Sequence, residues 1–256
     1  MSLTFGPGPL SREPASTNYE IDGPAHRIYF HPFGRRLRIE LGGVTVVDTT
    51  DAHLLHETNI LPRVYVPLAD IDASALQPSD TTSHCPFKGD ATYRTVRVGD
   101  RVAEDGFWLY EHPLPAAPWL AGFAGVYEDR FDRILDEDEE VAGHVRDPYH
   151  RVDVRRSSRH VRVTTSDGTV LAESTAPLLV AETGLPNRFY LPRADVRVDL
   201  EASDTPSACP YKGTATYWHA GGLKDAAWSY EEPFDGVTPI AGYVSFLGDD
   251  ITVEEV

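Results

Sequence analysis

A cysteine and a lysine three residues apart occur twice in this chain, each time with proline after the cysteine and glycine after the lysine. The copies are CPFKG at 85–89 and CPYKG at 209–213, and their two thiols are the only cysteines. Thiol and amine at this spacing, before a glycine, predict a turn that points both groups at one place. Because a nearby ammonium stabilises the reactive thiolate, the motif indicates acyl, addition or isomerisation chemistry.

Residues elsewhere in the chain extend this candidate site. In the second half, we expect the Glu231 carboxylate to contact Lys212, because an unpaired buried charge is costly, and to act as general acid or base. Arg188 has a planar fork of donors that suits a carboxylate ligand. An aromatic-walled pocket with a polar floor is therefore predicted. Its catalytic residues are Cys209, Lys212 and Glu231, and its ligand-binding residues are Arg188, Tyr190, Tyr211, Trp228 and Tyr230. The weaker first-half set is Cys85, Lys88 and Glu111, with Arg63, Tyr65, Trp108 and Tyr110 as ligand-binding residues.

Each of these residues also has a purely structural interpretation. A lone cysteine often serves as a small buried hydrophobe, and a tryptophan supplies a large buried area to a core. The lysines can pair with Glu111 and Glu231 only to satisfy partly buried charges. Two functions therefore stay open. One is a small-molecule enzyme that uses Cys, Lys and Glu, and the other is a non-catalytic ligand-binding or scaffold module.

Metal, cofactor and hydrolase motifs are not indicated. Of the ten histidines only His26 and His150 occupy matching positions, no pair has ligand spacing, and we expect a turn or interface role for both. The acidic run at 136–140 does not by itself hold oxygens at the fixed angles that a cation needs. No Gly-x-Ser-x-Gly elbow and no Gly-x-x-x-x-Gly-Lys phosphate loop is present. We predict no metal and no cofactor.

An internal duplication positions the candidate residues. The matches keep one order along the chain, with small changes of offset at loops. They predict an N-terminal extension (1–25), a first domain (26–127), an acidic connector (128–149) and a second domain (150–256). The two domains should superpose with Cys85 on Cys209 and Trp108 on Trp228, and both thiols should be free. Further matched pairs are His26 with His150, Glu57 with Glu182, Arg63 with Arg188, Tyr65 with Tyr190 and Glu111 with Glu231.

The local patterns are those of short β-strands. Runs of β-branched and aromatic residues are bounded by Gly, Pro, Asp and Ser, and no long segment has a 3.6-residue period. We therefore predict an all-β, mainly antiparallel protein in which each half is a small barrel or a pair of packed sheets. The predicted strands are 37–40, 44–48, 64–66, 92–98, 107–110, 160–165, 169–172, 188–191, 214–219, 226–230 and 242–247.

Three ordered motifs carry a family resemblance. Tyr-x-Pro-x-x-Asp-Val at 190–196, CPYKG at 209–213 and Trp-x-Tyr-x-x-Pro at 228–233 resemble the domain-of-unknown-function family 427. The connector is similar to that of two-domain actinobacterial members. The resemblance implies a β-tent fold, similar to methionine sulfoxide reductase B and the thalidomide-binding domain of cereblon. Those relatives often carry a four-cysteine zinc site, and one cysteine per half implies that it is absent here.

Composition narrows the class of partner. The net charge of −17, from 40 acidic and 23 basic residues, repels phosphate backbones and anionic lipids, so neither nucleic acid nor membrane is expected. No run approaches the roughly 18 apolar residues of a membrane helix, and residues 1–22 contain no signal-like apolar stretch. Two cysteines exclude a disulfide framework. We expect a cytoplasmic protein whose partner is a small-molecule ligand or substrate, and the sequence does not indicate its oligomeric state.

Overall fold

The computed structural model describes residues 26–58 and 60–256, so the predicted extension at 1–25 lies outside the described residues. The chain divides into two compact units between Val145 and Arg146. Each sheet among the described residues belongs to one unit, and almost all strand pairs are antiparallel. The predicted all-β fold with two repeated halves is confirmed. Of the two alternatives for each half, packed sheets are present, and the described strands close no barrel.

The first unit contains a seven-stranded and a four-stranded sheet. Their strand orders are β1-β4-β5-β9-β8-β7-β6 and β11-β10-β2-β3. The strands are β1 (Ile28–Pro32), β2 (Leu37–Leu41), β3 (Val44–Thr49), β4 (His53–Glu57), β5 (Ile60–Pro67), β6 (Leu76–Cys85), β7 (Gly89–Val98), β8 (Arg101–Leu109), β9 (Phe123–Val126), β10 (Arg133–Asp136) and β11 (Glu139–Glu140). Single 3₁₀ turns occupy Leu68–Asp70, Pro118–Leu120 and Glu128–Arg130.

The second unit repeats this arrangement with its large sheet divided. The orders are β12-β15-β16, β17-β18-β19-β20 and β14-β13-β21, and the Leu191–Val244 bridge joins the first two. The strands are β12 (Val152–Arg156), β13 (Val161–Thr165), β14 (Val170–Ser174), β15 (Leu178–Glu182), β16 (Arg188–Tyr190), β17 (Leu200–Cys209), β18 (Gly213–Ala220), β19 (Leu223–Ser229), β20 (Val244–Phe246) and β21 (Ile251–Glu255). The 3₁₀ segments are Arg193–Asp195 and Asp235–Ile240. None of the described helices is long and apolar enough to cross a membrane.

Each large sheet has two differently covered faces, because successive side chains of a strand alternate between its sides. One face packs on the small sheet and forms the main apolar core of the unit. The other face carries a second cluster that is rich in aromatic residues. In β8, for example, Phe107 belongs to the main core and Trp108 to the aromatic cluster. The aromatic cluster is the part of each unit that matters for function.

The predicted acidic connector is for the most part a folded element of the first unit. Residues Arg133–Asp136 form β10, which pairs with β2, and Ile134 and Leu135 are buried there. Acidic residues after this strand face bases, as in the ion pair between Arg38 and Asp138 at 2.6 Å. In the second unit β21 pairs with β13 in the same way. Residues 128–145 of the predicted connector fall in the first unit, which extends to Val145.

Candidate functional site

The repeated Cys-Pro-x-Lys-Gly motif is a tight turn between two neighbouring strands at the edge of the large sheet, β6 and β7 in the first unit and β17 and β18 in the second. The Lys212 amide donates to the Cys209 carbonyl at 3.3 Å, with Pro210 at the second turn position, which proline favours. Gly213 then adopts a φ of +104°, a conformation that side chains disfavour. The first unit has the same turn, with Gly89 at +108°. The proline and glycine of the motif therefore stabilise the backbone conformation of the turn. The side chains at the other motif positions are available for contacts elsewhere.

The motif lysine of each unit binds a buried glutamate that the predicted site did not contain. Lys212 donates to Glu182, and these side chains are 9% and 10% exposed. In the first unit Lys88 Nζ lies 2.5 Å from Glu57 Oε2. The expected pairing of Lys212 with Glu231, and of Lys88 with Glu111, is therefore wrong.

A histidine completes each of these clusters. His150 Nε2 lies 3.0 Å from Glu182 Oε1, and His26 Nε2 lies 2.9 Å from Glu57 Oε1. We refer to His26, Glu57 and Lys88, and to His150, Glu182 and Lys212, as the two Lys–Glu–His triads. The expectation of a turn or interface role for the histidines missed this contact. Their exact match in the duplication, together with that of the two glutamates, was the available signal.

The variable residue of the motif covers the triad histidine. The ring centroids of Tyr211 and His150 are 3.9 Å apart, and those of Phe87 and His26 are also 3.9 Å apart. The Tyr211 hydroxyl accepts a hydrogen bond from the Asp147 amide at 2.8 Å. Tyr211, a predicted ligand-binding residue, thus stacks on the triad histidine and contributes to local packing.

The triad also fixes the charge of its carboxylate. Burial by itself raises the pKa of Glu182, but the hydrogen bond from His150 and the charge of Lys212 outweigh it, and the net pKa lies below the usual value. Glu182 is therefore ionised at neutral pH. A buried charge pair with a third hydrogen-bonding partner is the arrangement that makes such burial tolerable.

In the first unit the triad joins distant strands of one sheet. Lys88 follows β6 and Glu57 ends β4, and three strands (β5, β9 and β8) separate β4 from β7. In a flat sheet with a spacing of about 4.8 Å, β4 and β7 would lie about 19 Å apart. The sheet must therefore curl strongly, with the triad across the opening of the curl. The aromatic cluster occupies the concave side.

Glu231 lies on the opposite face of the sheet from this cluster. Its carboxylate lies 2.5 Å from Arg193 Nη2 and accepts a hydrogen bond from Ser229 at 2.6 Å. Ser229 in turn accepts from the Trp218 indole at 2.8 Å. Because Trp228 and Tyr230 point to the concave side, period-two alternation turns Ser229 and Glu231 the other way. The predicted catalytic trio is thus not brought together.

The first unit makes the equivalent ion pair from a different position. Glu111 pairs with Arg94 of β7, the position that Trp218 occupies in the second unit. Leu68 lies where the second unit has Arg193, whose guanidinium is 4.6 Å from the Trp218 ring centroid. Both units thus supply an arginine to this glutamate, from β7 in the first unit and from the 3₁₀ segment Arg193–Asp195 in the second. This exchange indicates a structural salt bridge.

The concave face of the second unit gathers most of the predicted ligand-binding residues. The Trp228 indole donates to the Tyr190 hydroxyl at 3.0 Å, and the Arg188 guanidinium lies 5.4 Å from the Trp228 ring centroid. Cys209 packs against the same aromatic cluster as Tyr230. We call this surface the aromatic face, formed by Arg188, Tyr190, Cys209, Tyr217, Trp228 and Tyr230.

Burial controls the tyrosine hydroxyls of this face. It raises the pKa of Tyr190 to about 12, although the hydrogen bond from Trp228 lowers it in part. Burial also raises the pKa of Tyr230, with further contributions from Tyr190 and Cys209. Both hydroxyls stay protonated at neutral pH. They are suited to donate hydrogen bonds rather than to act as bases.

The first unit has the corresponding aromatic cluster in a more closed form. Trp108 donates to Tyr65 at 2.9 Å, and Cys85 packs against the cluster that contains Tyr110. Trp108 and Tyr93 are each only 8% exposed, whereas their counterparts Trp228 and Tyr217 are half-buried. Burial raises the pKa of Tyr65 and of Tyr110. The second unit is thus the more accessible of the two.

A family model described as "Domain of unknown function (DUF427)" matches residues 29–137 and 153–256. The chain belongs to this family. One matched segment lies within each unit, so it is a tandem DUF427 protein. The first segment includes β10, in agreement with the folded connector. No curated protein matches the chain.

The described residues of this DUF427 chain contain no group of three or more His, Cys, Asp or Glu side chains arranged to hold a metal ion. Both cysteines are free in the structure. Of the predicted catalytic residues, Cys209 lies on the aromatic face, Lys212 is engaged in the triad and Glu231 lies on the far side of the sheet. The arrangement provides an aromatic surface with a thiol, protonated hydroxyls and one guanidinium.

Proposed function

We propose that this DUF427 protein binds a small molecule on the aromatic face of its second unit. The observation that carries the proposal is the partial exposure of Trp228. This large apolar side chain is only half-buried, although its indole nitrogen donates a hydrogen bond to the buried Tyr190. Apolar concave surfaces with a few fixed polar groups are typical of small-molecule sites.

In this proposal the triad has a positioning role. The Lys212 ammonium is bound to Glu182, so it holds the turn that carries Cys209 against the curled sheet. Glu231 has no direct role, because its carboxylate points away from the aromatic face. The ligand is a small molecule, and the net charge of −17 disfavours nucleic acid. A cytoplasmic location is part of the proposal, since free cysteines suit a reducing compartment.

Catalysis through Cys209 is a second candidate. It is supported by the half-buried position of the thiol beside the hydroxyl-bearing residues Tyr190 and Tyr230. In that case the thiol is the nucleophile and a tyrosine hydroxyl donates a proton or hydrogen bond to the substrate. The non-catalytic module has the same face with an inert thiol.

A fragment screen by ¹⁹F NMR tests binding. The protein is labelled with 5-fluorotryptophan, and Trp228→Phe assigns the Trp228 resonance. We expect some fragments to shift this resonance in a saturable manner and to slow alkylation of Cys209 by iodoacetamide, with Cys85 as the internal comparison. If a broad library leaves the Trp228 resonance unmoved and Cys209 resists alkylation, both proposals fail and the face is a scaffold. A thiol that reacts faster than a free cysteine favours catalysis.

A further inference from the structure

The aromatic face of the second unit contains a guanidinium that has no ion-pair partner in the part of the chain that the structure describes. Arg188 is half-buried over Trp228, and no described carboxylate lies within ion-pair distance of it. Its charge bears on Tyr190, whose pKa it lowers in part. In a chain with a net charge of −17, acidic partners are abundant, so an unpaired arginine beside a concave surface points to an external anion.

The matched arginine of the first unit has a different neighbourhood. Burial raises the pKa of the Glu128 carboxyl and of the Tyr127 hydroxyl, and the positive charge of Arg63 offsets a part of this rise in both. These residues directly follow β9. After β20, the matched strand of the second unit, the chain has Leu247 and Gly248 instead. At the position of Glu128 the second unit therefore has a glycine and no carboxyl group.

A second difference between the units concerns the residue that pairs with the tryptophan in the neighbouring strand. Trp108 pairs in register with Gly125, and a Cβ atom built on Gly125 would lie 2.2 Å from the indole ring. The first-unit indole thus lies directly on the backbone of β9. Ser245 pairs with Trp228 at the same position, and its hydroxyl donates to the Phe189 carbonyl at 3.0 Å. A side chain there excludes the first-unit position of the indole.

We infer that the second unit binds a small flat molecule that carries an oxyanion, with Arg188 as the anion contact and Ser245 as the residue that keeps Trp228 available. This inference rests on the proposed function and specifies its ligand class and its unit. The planar fork of arginine suits the paired oxygens of a carboxylate or phosphate, and the indole and the Tyr217 ring suit an apolar body. The first unit, with Glu128 near Arg63 and Trp108 on Gly125, does not bind such a molecule.

The test compares three probes of one shape: benzoate, phenyl phosphate and the neutral benzamide. Each is titrated into the full chain labelled with 5-fluorotryptophan, with the Trp228 and Trp108 resonances followed separately. We expect both anions to shift the Trp228 resonance and benzamide to bind about tenfold or more weakly, which corresponds to the loss of a charged hydrogen bond. The stronger of the two anions distinguishes a carboxylate from a phosphate site.

Matched variants assign the residues. Arg188→Gln should weaken anion binding by about tenfold or more, whereas Arg63→Gln should leave it unchanged. Ser245→Gly should weaken binding and shift the Trp228 resonance even without ligand, as the indole moves onto the backbone.

The outcomes separate this inference from the proposal beneath it. Equal binding of benzoate and benzamide at Trp228, unaffected by Arg188→Gln, overturns the anion site and leaves small-molecule binding intact. Anion shifts at Trp108 equal to those at Trp228 overturn the assignment to one unit. If none of the probes and no member of the fragment library moves the Trp228 resonance, both the inference and the proposed function are rejected.

Discussion

Lys212 donates a hydrogen bond to Glu182, a residue 30 positions earlier in the chain that ends β15 in the other part of the divided sheet. The first unit repeats the contact between Lys88 and Glu57, 31 positions apart. The lysine belongs to the turn motif, and the glutamate lies across the mouth of the curled sheet. The lysine of the duplicated motif therefore stabilises the curl of the sheet, and the shape of the aromatic face depends on this curl.

The first prediction concerns this buried pair. Glu182→Gln leaves the Lys212 ammonium buried without a counter-charge, so we expect the second unit to lose about 3 kcal/mol of unfolding free energy. Hydrogen exchange followed by mass spectrometry measures this separately in peptides from β17 and β18. The double variant Lys212→Met, Glu182→Leu should recover most of the loss, because it removes both charges. A loss below about 1 kcal/mol in the single variant would show that the pair does not hold the sheet.

A second prediction concerns the glutamate that sequence reasoning placed in the site. Arg193 and Glu231 are 41% and 49% exposed, and such pairs contribute at most about 1 kcal/mol. Glu231→Gln should therefore change unfolding free energy by less than about 1 kcal/mol and leave ligand binding at Trp228 unchanged. The same ¹⁹F titration and exchange measurements apply, with Glu111→Gln as the matched variant. Loss of ligand affinity with an intact fold would return Glu231 to the site.

The duplication and the fold class were predictable from the sequence because they depend on local patterns. Matched residues reveal a repeat directly, and β-branched runs between turn residues reveal strands. Several described strands escaped prediction, among them apolar ones such as Leu178–Glu182 and two that are polar or border on an acidic run. Leu200–Cys209 contains Ser, Asp, Thr and Pro, and Arg133–Asp136 runs into five adjacent acids. Pairing with a neighbouring strand overrides weak propensity in both.

The composition of the site was predictable only in part. Cys209, Arg188, Tyr190 and Trp228 share the aromatic face as expected. The partner of Lys212 was not predictable, because it depends on the curl of a sheet whose ends are far apart in sequence. The wrong partner, Glu231, was avoidable, since alternation after Trp228 and Tyr230 already directs it to the other face.

A third prediction uses the buried carboxyl of the first unit. Burial raises the pKa of Glu128 to about 7, and this outweighs the hydrogen bond from the Val145 amide at 2.6 Å and the charge of Arg63. The ordinary value is about 4.3, so the folded unit binds this proton more tightly than the unfolded chain. The contribution of Glu128 to the unfolding free energy should be largest below about pH 4.3 and should fall as the pH rises to about 7.

The expected loss across that interval is about 3 kcal/mol. Glu128→Gln removes the titrating group while an amide oxygen can still accept from Val145, so the dependence on pH should flatten in this variant. Urea unfolding at pH 5, 6 and 7, followed by hydrogen exchange in peptides from β8 and β9, measures the difference. Identical slopes in wild type and variant would exclude Glu128 as the group responsible.

The last prediction concerns the glycine of the turn. Gly213 has a φ of +104°, and a Cβ atom there would lie 3.2 Å from the Glu232 carbonyl oxygen. Gly222, in the next hairpin, has a φ of +80° with open space around it. Alanine at either position has the strain of positive φ, about 1–3 kcal/mol, but only Gly213→Ala adds a backbone contact that must give way. We expect Gly213→Ala to destabilise the second unit more than Gly222→Ala and to increase hydrogen exchange at Lys212 and along β15, because the turn shifts and the triad loosens.

The two variants are compared by urea unfolding and peptide-level exchange. Equal losses, or exchange at β15 that stays unchanged in Gly213→Ala, would show that the turn does not position Lys212 against Glu182.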